Sequence, residues 1–128
     1  MNPDFKDILS AFIAEKVEFL VVGGYAMAFH GYVRATGDID LWIRRSAENA
    51  EKVRRALERF GAPLFDLNVK DLQTPGTVFQ IGIVPSRIDV ITQIDAVEFE
   101  DAWQEHKTVE IENLQIAVIG KTQLLINK

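Results

Sequence analysis

The chain has 128 residues, 48% of them hydrophobic and 26% charged, a size and balance that fit one globular domain around one hydrophobic core and not a disordered segment. No apolar run approaches the ~20 residues of a membrane-spanning helix, the N-terminus lacks the basic and apolar regions of a secretion signal, and the absence of cysteine excludes disulfides and thiolate nucleophiles. The net charge of −5 weighs against a surface that grips extended DNA or RNA, which needs clustered Lys and Arg, and the expected location is cytoplasmic.

Asn2 is placed to cap a helix with Pro3 at its first position, and Phe5, Ile8, Leu9, Phe12 and Ile13 follow at helical spacing as one apolar stripe. Val17 to Val22 is short, β-branched and almost wholly apolar, the pattern of a strand buried on both faces. Gly23-Gly24 ends it, and a helix from about Tyr25 to His30 is closed by Gly31 in a left-handed position. Asp38 to Ile43 alternates, with Ile39, Leu41 and Ile43 on one face and Asp38, Asp40 and Trp42 on the other. Ser46 caps the next helix, which carries Glu48 in its first turn, buries Ala50, Val53, Leu57 and Phe60, and stops at Gly61 and Pro63.

Pro63 to Gly76 is expected to hold a short helical turn and a loop. Thr77 to Val84 and Arg87 to Ile94 form two strands about a Pro85-Ser86 turn. Phe99, Ala102 and Trp103 mark one or two helical turns. Lys107 to Glu112 and Gln115 to Ile119 form a second hairpin, although Asn113-Leu114 is a weak turn signal. Lys121 to Lys128 has helical spacing but ends within its second turn, so the chain is expected to stop inside a longer element. The acidic run from Asp95 to Glu112 is expected to be a solvated face. Interleaved strands and helices place the fold in the α/β (or α+β) class, with a small mixed sheet flanked by helices and a single domain over residues 1–128.

The chemistry concentrates in a few acids. Aspartates two apart on a strand leave it on the same face, about 6.6 Å apart at the backbone for a rise of ~3.3 Å per residue. Two such carboxylates converge readily on a hard cation. Asp89, alone in the apolar run Arg87-Ile88-Asp89-Val90-Ile91, is the third candidate. Three carboxylates on one face repel one another unless a cation joins them, and oxygen ligands select Mg²⁺ or Mn²⁺. The alternative is that an Asp-x-Asp pattern on an edge strand merely keeps the edge soluble. Gly23 and Gly24 fit a backbone that lets phosphate oxygens approach a helix start, or else a plain turn. They match neither a GxGxxG fingerprint nor a P-loop.

Gly23-Gly24, thirteen residues, then Asp38-Ile39-Asp40-Leu41 resembles the Gly-Gly/Ser … Asp-h-Asp/Glu-h signature of the nucleotidyltransferase (DNA polymerase β-like) superfamily. Arg34-Ala35-Thr36-Gly37-Asp38-Ile39-Asp40 is similar to the Arg-x-Thr-x-Asp-h-Asp of minimal bacterial nucleotidyltransferases, including those of toxin–antitoxin and abortive-infection systems. The resemblance covers Phe19 to Val90 and extends loosely to Leu124-Leu125-Ile126-Asn127-Lys128, after which relatives continue with a further helical stretch absent here. It implies a nucleotidyltransferase-like fold and a reaction that moves an NMP from an NTP to a protein or RNA hydroxyl, releasing pyrophosphate. It also implies Mg²⁺ or Mn²⁺ on Asp38, Asp40 and Asp89, phosphates against Gly23 and Gly24, a nucleotide contact from Lys128, and a toxin or antitoxin partner protein; Arg34 and Thr36 either contact the nucleotide's phosphates or brace the aspartates. Two other functions are weighed: an antitoxin-like module that keeps the fold but transfers nothing, and a metal-dependent phosphohydrolase. Among the remaining polar residues, His30 is expected to satisfy a carbonyl, Arg87 to pair with a carboxylate, and Arg44 and Arg45 to be solvated. Tyr25 and Trp42 are expected to pack in the core or at its rim.

Overall fold

The computed structural model describes residues 1–32, 37–64, 67–83 and 86–127. In chain order its elements are α1 (Pro3–Ala14), β1 (Phe19–Val22), α2 (Gly23–Phe29), β2 (Asp38–Ile43), α3 (Ala47–Phe60), α4 (Val69–Gln73), β3 (Val78–Ile81), β4 (Arg87–Ile91), α5 (Phe99–Gln104), β5 (Lys107–Ile111), β6 (Leu114–Val118) and α6 (Lys121–Asn127). Among the described residues the six strands form one mixed sheet in the order β3-β4-β2-β1-β6-β5, flanked by helices as the sequence predicts. No helix among them is long and apolar enough to cross a membrane.

Phe19, Val21, Ile39, Leu41, Ile43, Ile88 and Val90 are buried and share one face of the sheet by the strand registers. α1 packs on that face, with Phe12 edge-on to Phe19 at 5.2 Å between ring centroids, and α3 lies beside α1. The opposite face carries Leu20 and Val22 of β1 beside Trp42 and Asp40 of β2 and is packed by α5 at the C-terminal end of β2. There Trp42, 2% exposed, meets Phe99 of α5 at 5.0 Å. Trp42 and the half-buried Tyr25, edge-on to Phe5 at 5.4 Å, are packing residues. The acidic side chains between Asp95 and Glu112 are exposed throughout.

Several boundaries differ from the sequence expectation, each for a local reason. β1 begins at Phe19 because the Val17 amide donates to Phe12 O at 3.0 Å and the Lys16 amide to Ile13 O at 3.0 Å, so these residues close α1. The paired glycines open α2 directly, with no loop before it. Gly31 does take the left-handed position, at φ 92°. β3 ends at Ile81 before Gly82, φ 74°. β4 ends at Ile91, where Thr92 leaves the ladder and its hydroxyl accepts the Thr77 amide at 2.9 Å and donates to Thr74 O at 2.7 Å. The second hairpin turns at Glu112-Asn113, both with positive φ (49° and 71°), so that Leu114 already lies in β6. Left-handed backbone at both central residues is the primed turn that suits a two-residue hairpin. The Pro85-Ser86 turn lies partly outside the described residues.

One polar residue missed by periodicity fixes α3 to the sheet. Asn49, 2% exposed, accepts the Glu18 amide at 2.7 Å and donates to Glu18 O at 2.9 Å and Arg44 O at 2.8 Å. Its own amide donates to Ser46 Oγ at 3.2 Å, the cap expected from sequence. The side chain therefore joins the approach to β1, the exit of β2 and the first turn of α3. Arg44 is likewise anchored and not simply solvated: it pairs with Glu18 at 3.0 Å and with Glu100, and lies 4.9 Å over the Phe99 ring. Replacing Asn49 with Ala leaves the Glu18 amide and the Arg44 carbonyl without their partner, while Glu18 O keeps the Arg44 amide at 3.2 Å. We expect Asn49→Ala to cost about 2–3 kcal/mol and to lower the melting temperature by roughly 6–12 °C, read by circular dichroism, without altering the acids on β2.

Candidate metal centre

β2 and β4 run parallel with Asp38 opposite Arg87 and Asp40 opposite Asp89. Residues paired across neighbouring strands lie on the same face, so this register alone gathers Asp38, Asp40, Arg87 and Asp89 on the face away from α1. One carboxylate oxygen from each of Asp38, Asp40 and Asp89 lies within 4.8 Å of the others. Apolar neighbours in sequence (Ile39, Leu41, Ile88 and Val90, all buried) pin the backbone on both sides of Asp40 and Asp89 and on one side of Asp38. The acids cannot turn inward without expelling the core. β1 closes the arrangement from the other side, with Val22 opposite Asp40.

Gly23 follows Val22 immediately and has φ 69°. A Cβ built there would overlap Asp40 Oδ2, so the missing side chain makes the space that Asp40 occupies. Gly24 is the second residue of α2 and half-buried. His30, at the end of α2, meets Ile119 O through Nε2 at 2.7 Å, as expected from sequence, and so ties α2 to the end of β6.

The electrostatics follow from packing three acids into this space. Burial pushes the Asp40 carboxyl up to about 7, helped by the negative charges of Asp38 and Asp89 and by a hydrogen bond to Asp89, and opposed by Arg87. Asp89, 7% exposed, is also raised, first by burial, with Arg87 pulling the other way. Arg87 Nη2 donates to Asp38 Oδ2 at 2.9 Å and lies 3.4 Å from Asp89 Oδ2. The sequence expectation of one carboxylate partner for Arg87 thus becomes two. Even so, Asp89 Oδ1 is buried with no hydrogen-bond partner. An unpartnered buried carboxylate oxygen is costly, and a cation coordinated by all three acids is the chemistry that removes the cost. The donor set is all oxygen and suits a hard divalent ion.

Of the nucleotide-binding candidates, Gly23 lies at this site, against Asp40, and Gly24 follows it in the first turn of α2. Arg34, Thr36 and Lys128 lie outside the described residues. Local patterns placed the three acids on strands without a signal for their mutual distance, which only the family resemblance implied and which depends on β4 sitting beside β2 and not beside β1.

No protein-family model matches the chain, and no curated protein matches it. Among solved structures it is similar to the crystal structure of TM1012 from Thermotoga maritima, provisionally described as a nucleotidyltransferase. The TM-score is 0.66 with 16% sequence identity, over 94% of this chain and 78% of that one. An identity this low carries the fold alone: the six-stranded mixed sheet with flanking helices formed by the described residues is shared with TM1012.

Proposed function

We propose that the chain is a divalent-cation-dependent nucleotidyltransferase that moves an NMP from an NTP to a hydroxyl of a protein or RNA acceptor. The observation that carries this reading is the convergence of Asp38, Asp40 and Asp89 within 4.8 Å beside Gly23, with Asp89 Oδ1 left unpartnered. The fold shared with TM1012 supports it. Asp38, Asp40 and Asp89 would hold Mg²⁺ or Mn²⁺. Bound there, the cation supplies neutralisation of the triphosphate and activation of the acceptor hydroxyl.

The acceptor oxygen forms a bond to the α-phosphorus, the bond to the bridging oxygen breaks, pyrophosphate leaves and the hydroxyl proton passes to solvent. Such transfers depend on positioning and charge stabilisation more than on covalent chemistry by the protein. The chain's own share is to hold the three carboxylates on two rigid strands and to keep bare backbone at Gly23 and Gly24, where the outer phosphates would sit. Arg34, Thr36 and Lys128 are proposed to complete the nucleotide contacts. A module that only bound a partner protein would have no use for three acids crowded at this cost, which favours transfer over the silent alternative.

Three outcomes test the reading. With each α-³²P-labelled NTP, Mg²⁺ and RNA or protein acceptors, the wild-type chain should transfer label, and Asp40→Ala should lower the rate by about 10³-fold or more; equal labelling by both proteins removes the assignment. The second outcome is a pH dependence. With the folded carboxyl of Asp40 near 7 and an unfolded value near 4, the folded state binds the extra proton between these limits. Cation-free protein should therefore lose stability as pH rises from about 4 to 7. Mg²⁺, competing with that proton, should raise the melting temperature more at pH 8 than at pH 5; an equal effect at both would place the ion elsewhere. Third, Gly23→Ala must push the Asp40 carboxylate aside at a strained φ. It is expected to weaken Mn²⁺ binding by about tenfold or more while the circular dichroism spectrum stays native, as calorimetry would measure.

A further inference from the structure

Arg87 is a cation already standing among the acids. It comes from the strand position opposite Asp38 and touches Asp38 and Asp89 through one nitrogen, Nη2. Its Nε is buried and donates to nothing, so the fork of donors is only partly used. Asp89, with a side chain nine-tenths buried, keeps one oxygen without a partner. The guanidinium offsets part of the cluster's negative charge but does not satisfy it. A divalent ion shared by the three carboxylates would meet a positive charge within a few ångströms, and like charges at that range repel strongly in a partly buried site.

We propose that Arg87 couples cation entry to polyphosphate. In the bare protein its guanidinium holds Asp38 and Asp89 and keeps divalent affinity low. When a cation arrives with a polyphosphate, the guanidinium leaves the carboxylates for the phosphate oxygens, which its planar fork matches. The ion is thus held more tightly together with the anion that takes its place as Arg87's partner. This rests on the nucleotidyltransferase reading and adds to it a residue that makes the cation and polyphosphate sites interdependent. The interdependence is reciprocal: whatever polyphosphate does for cation affinity, the cation does for polyphosphate affinity. A purely bracing Arg87 would act otherwise, since its loss would loosen Asp38 and weaken both ligands alike.

The opposite signs give the test. Calorimetry would measure the affinity of wild type, Arg87→Met and Arg87→Lys for Mn²⁺ alone and for the preformed Mn²⁺–tripolyphosphate complex, a probe with no base to recognise. Arg87→Met is expected to bind Mn²⁺ alone about tenfold more tightly and the complex about tenfold more weakly. Arg87→Lys, which keeps the charge without the fork, should bind Mn²⁺ like wild type and the complex with intermediate affinity. If Arg87→Met shifts both ligands in the same direction, or leaves either unchanged, the coupling role is wrong while the metal centre stands. Should Arg87→Met fail to fold, Arg87→Lys decides alone, because equal affinity of Arg87→Lys and wild type for the complex also overturns the proposal. Wild type that binds neither probe would remove the nucleotidyltransferase reading and this inference together.

Discussion

Three carboxylates held on one patch of β-sheet repel one another, and the remaining features of the site are answers to that repulsion. A proton near neutrality on Asp40 is one answer; the guanidinium of Arg87 across Asp38 and Asp89 is another. Asp89 Oδ1 is buried with no hydrogen-bond partner. The arrangement is costly as it stands and becomes favourable when a multivalent cation is added. That direction of stabilisation makes a cation-dependent chemistry the economical explanation for it.

The cost is sustained by packing elsewhere. Asp40 and Asp89 are flanked on both sides, and Asp38 on one, by residues whose side chains are buried, so the strand backbones cannot rotate to relieve the crowding. Asn49 locks the start of α3 to the approach of β1 and the exit of β2. Arg44 ties the same exit to α5 through Glu18, Glu100 and the Phe99 ring. These contacts lie at the opposite end of β2 from Asp38. They hold the strand that carries two of the acids without entering the chemistry.

Much of this was legible in the sequence because its period is local. The Phe5–Phe12 stripe, the Asp38–Ile43 alternation, the Ser46 cap and the Gly61 stop each express a spacing rule within a single element, and each is present in the fold. What failed were features set by partners distant in the chain. Asn49 lies beside the α3 stripe, and nothing near it announces that its amide will serve backbone carbonyls 31 and 5 residues away. Val17 looks like strand but is claimed by the end of α1. The turn of the second hairpin falls on Glu112-Asn113, where glutamate is an uncommon occupant of left-handed backbone. For the site, residue types and faces were legible, while the meeting of Asp89 with Asp38 and Asp40 was a matter of sheet order, which no local pattern encodes.

That sheet order has a consequence for how the chain must fold. β2 and β4 are parallel neighbours separated by α3, α4 and β3, and strand side chains alternate with a period of two. A slide of β4 by one residue would turn Asp89 toward the α1 side and present Ile88 or Val90 to the acids. Such a molecule would keep its strands yet bury a carboxylate in hydrocarbon and lose the cluster. Correct alignment of these two strands and possession of the acidic centre are therefore one event, so a misaligned chain would be inert as well as unstable.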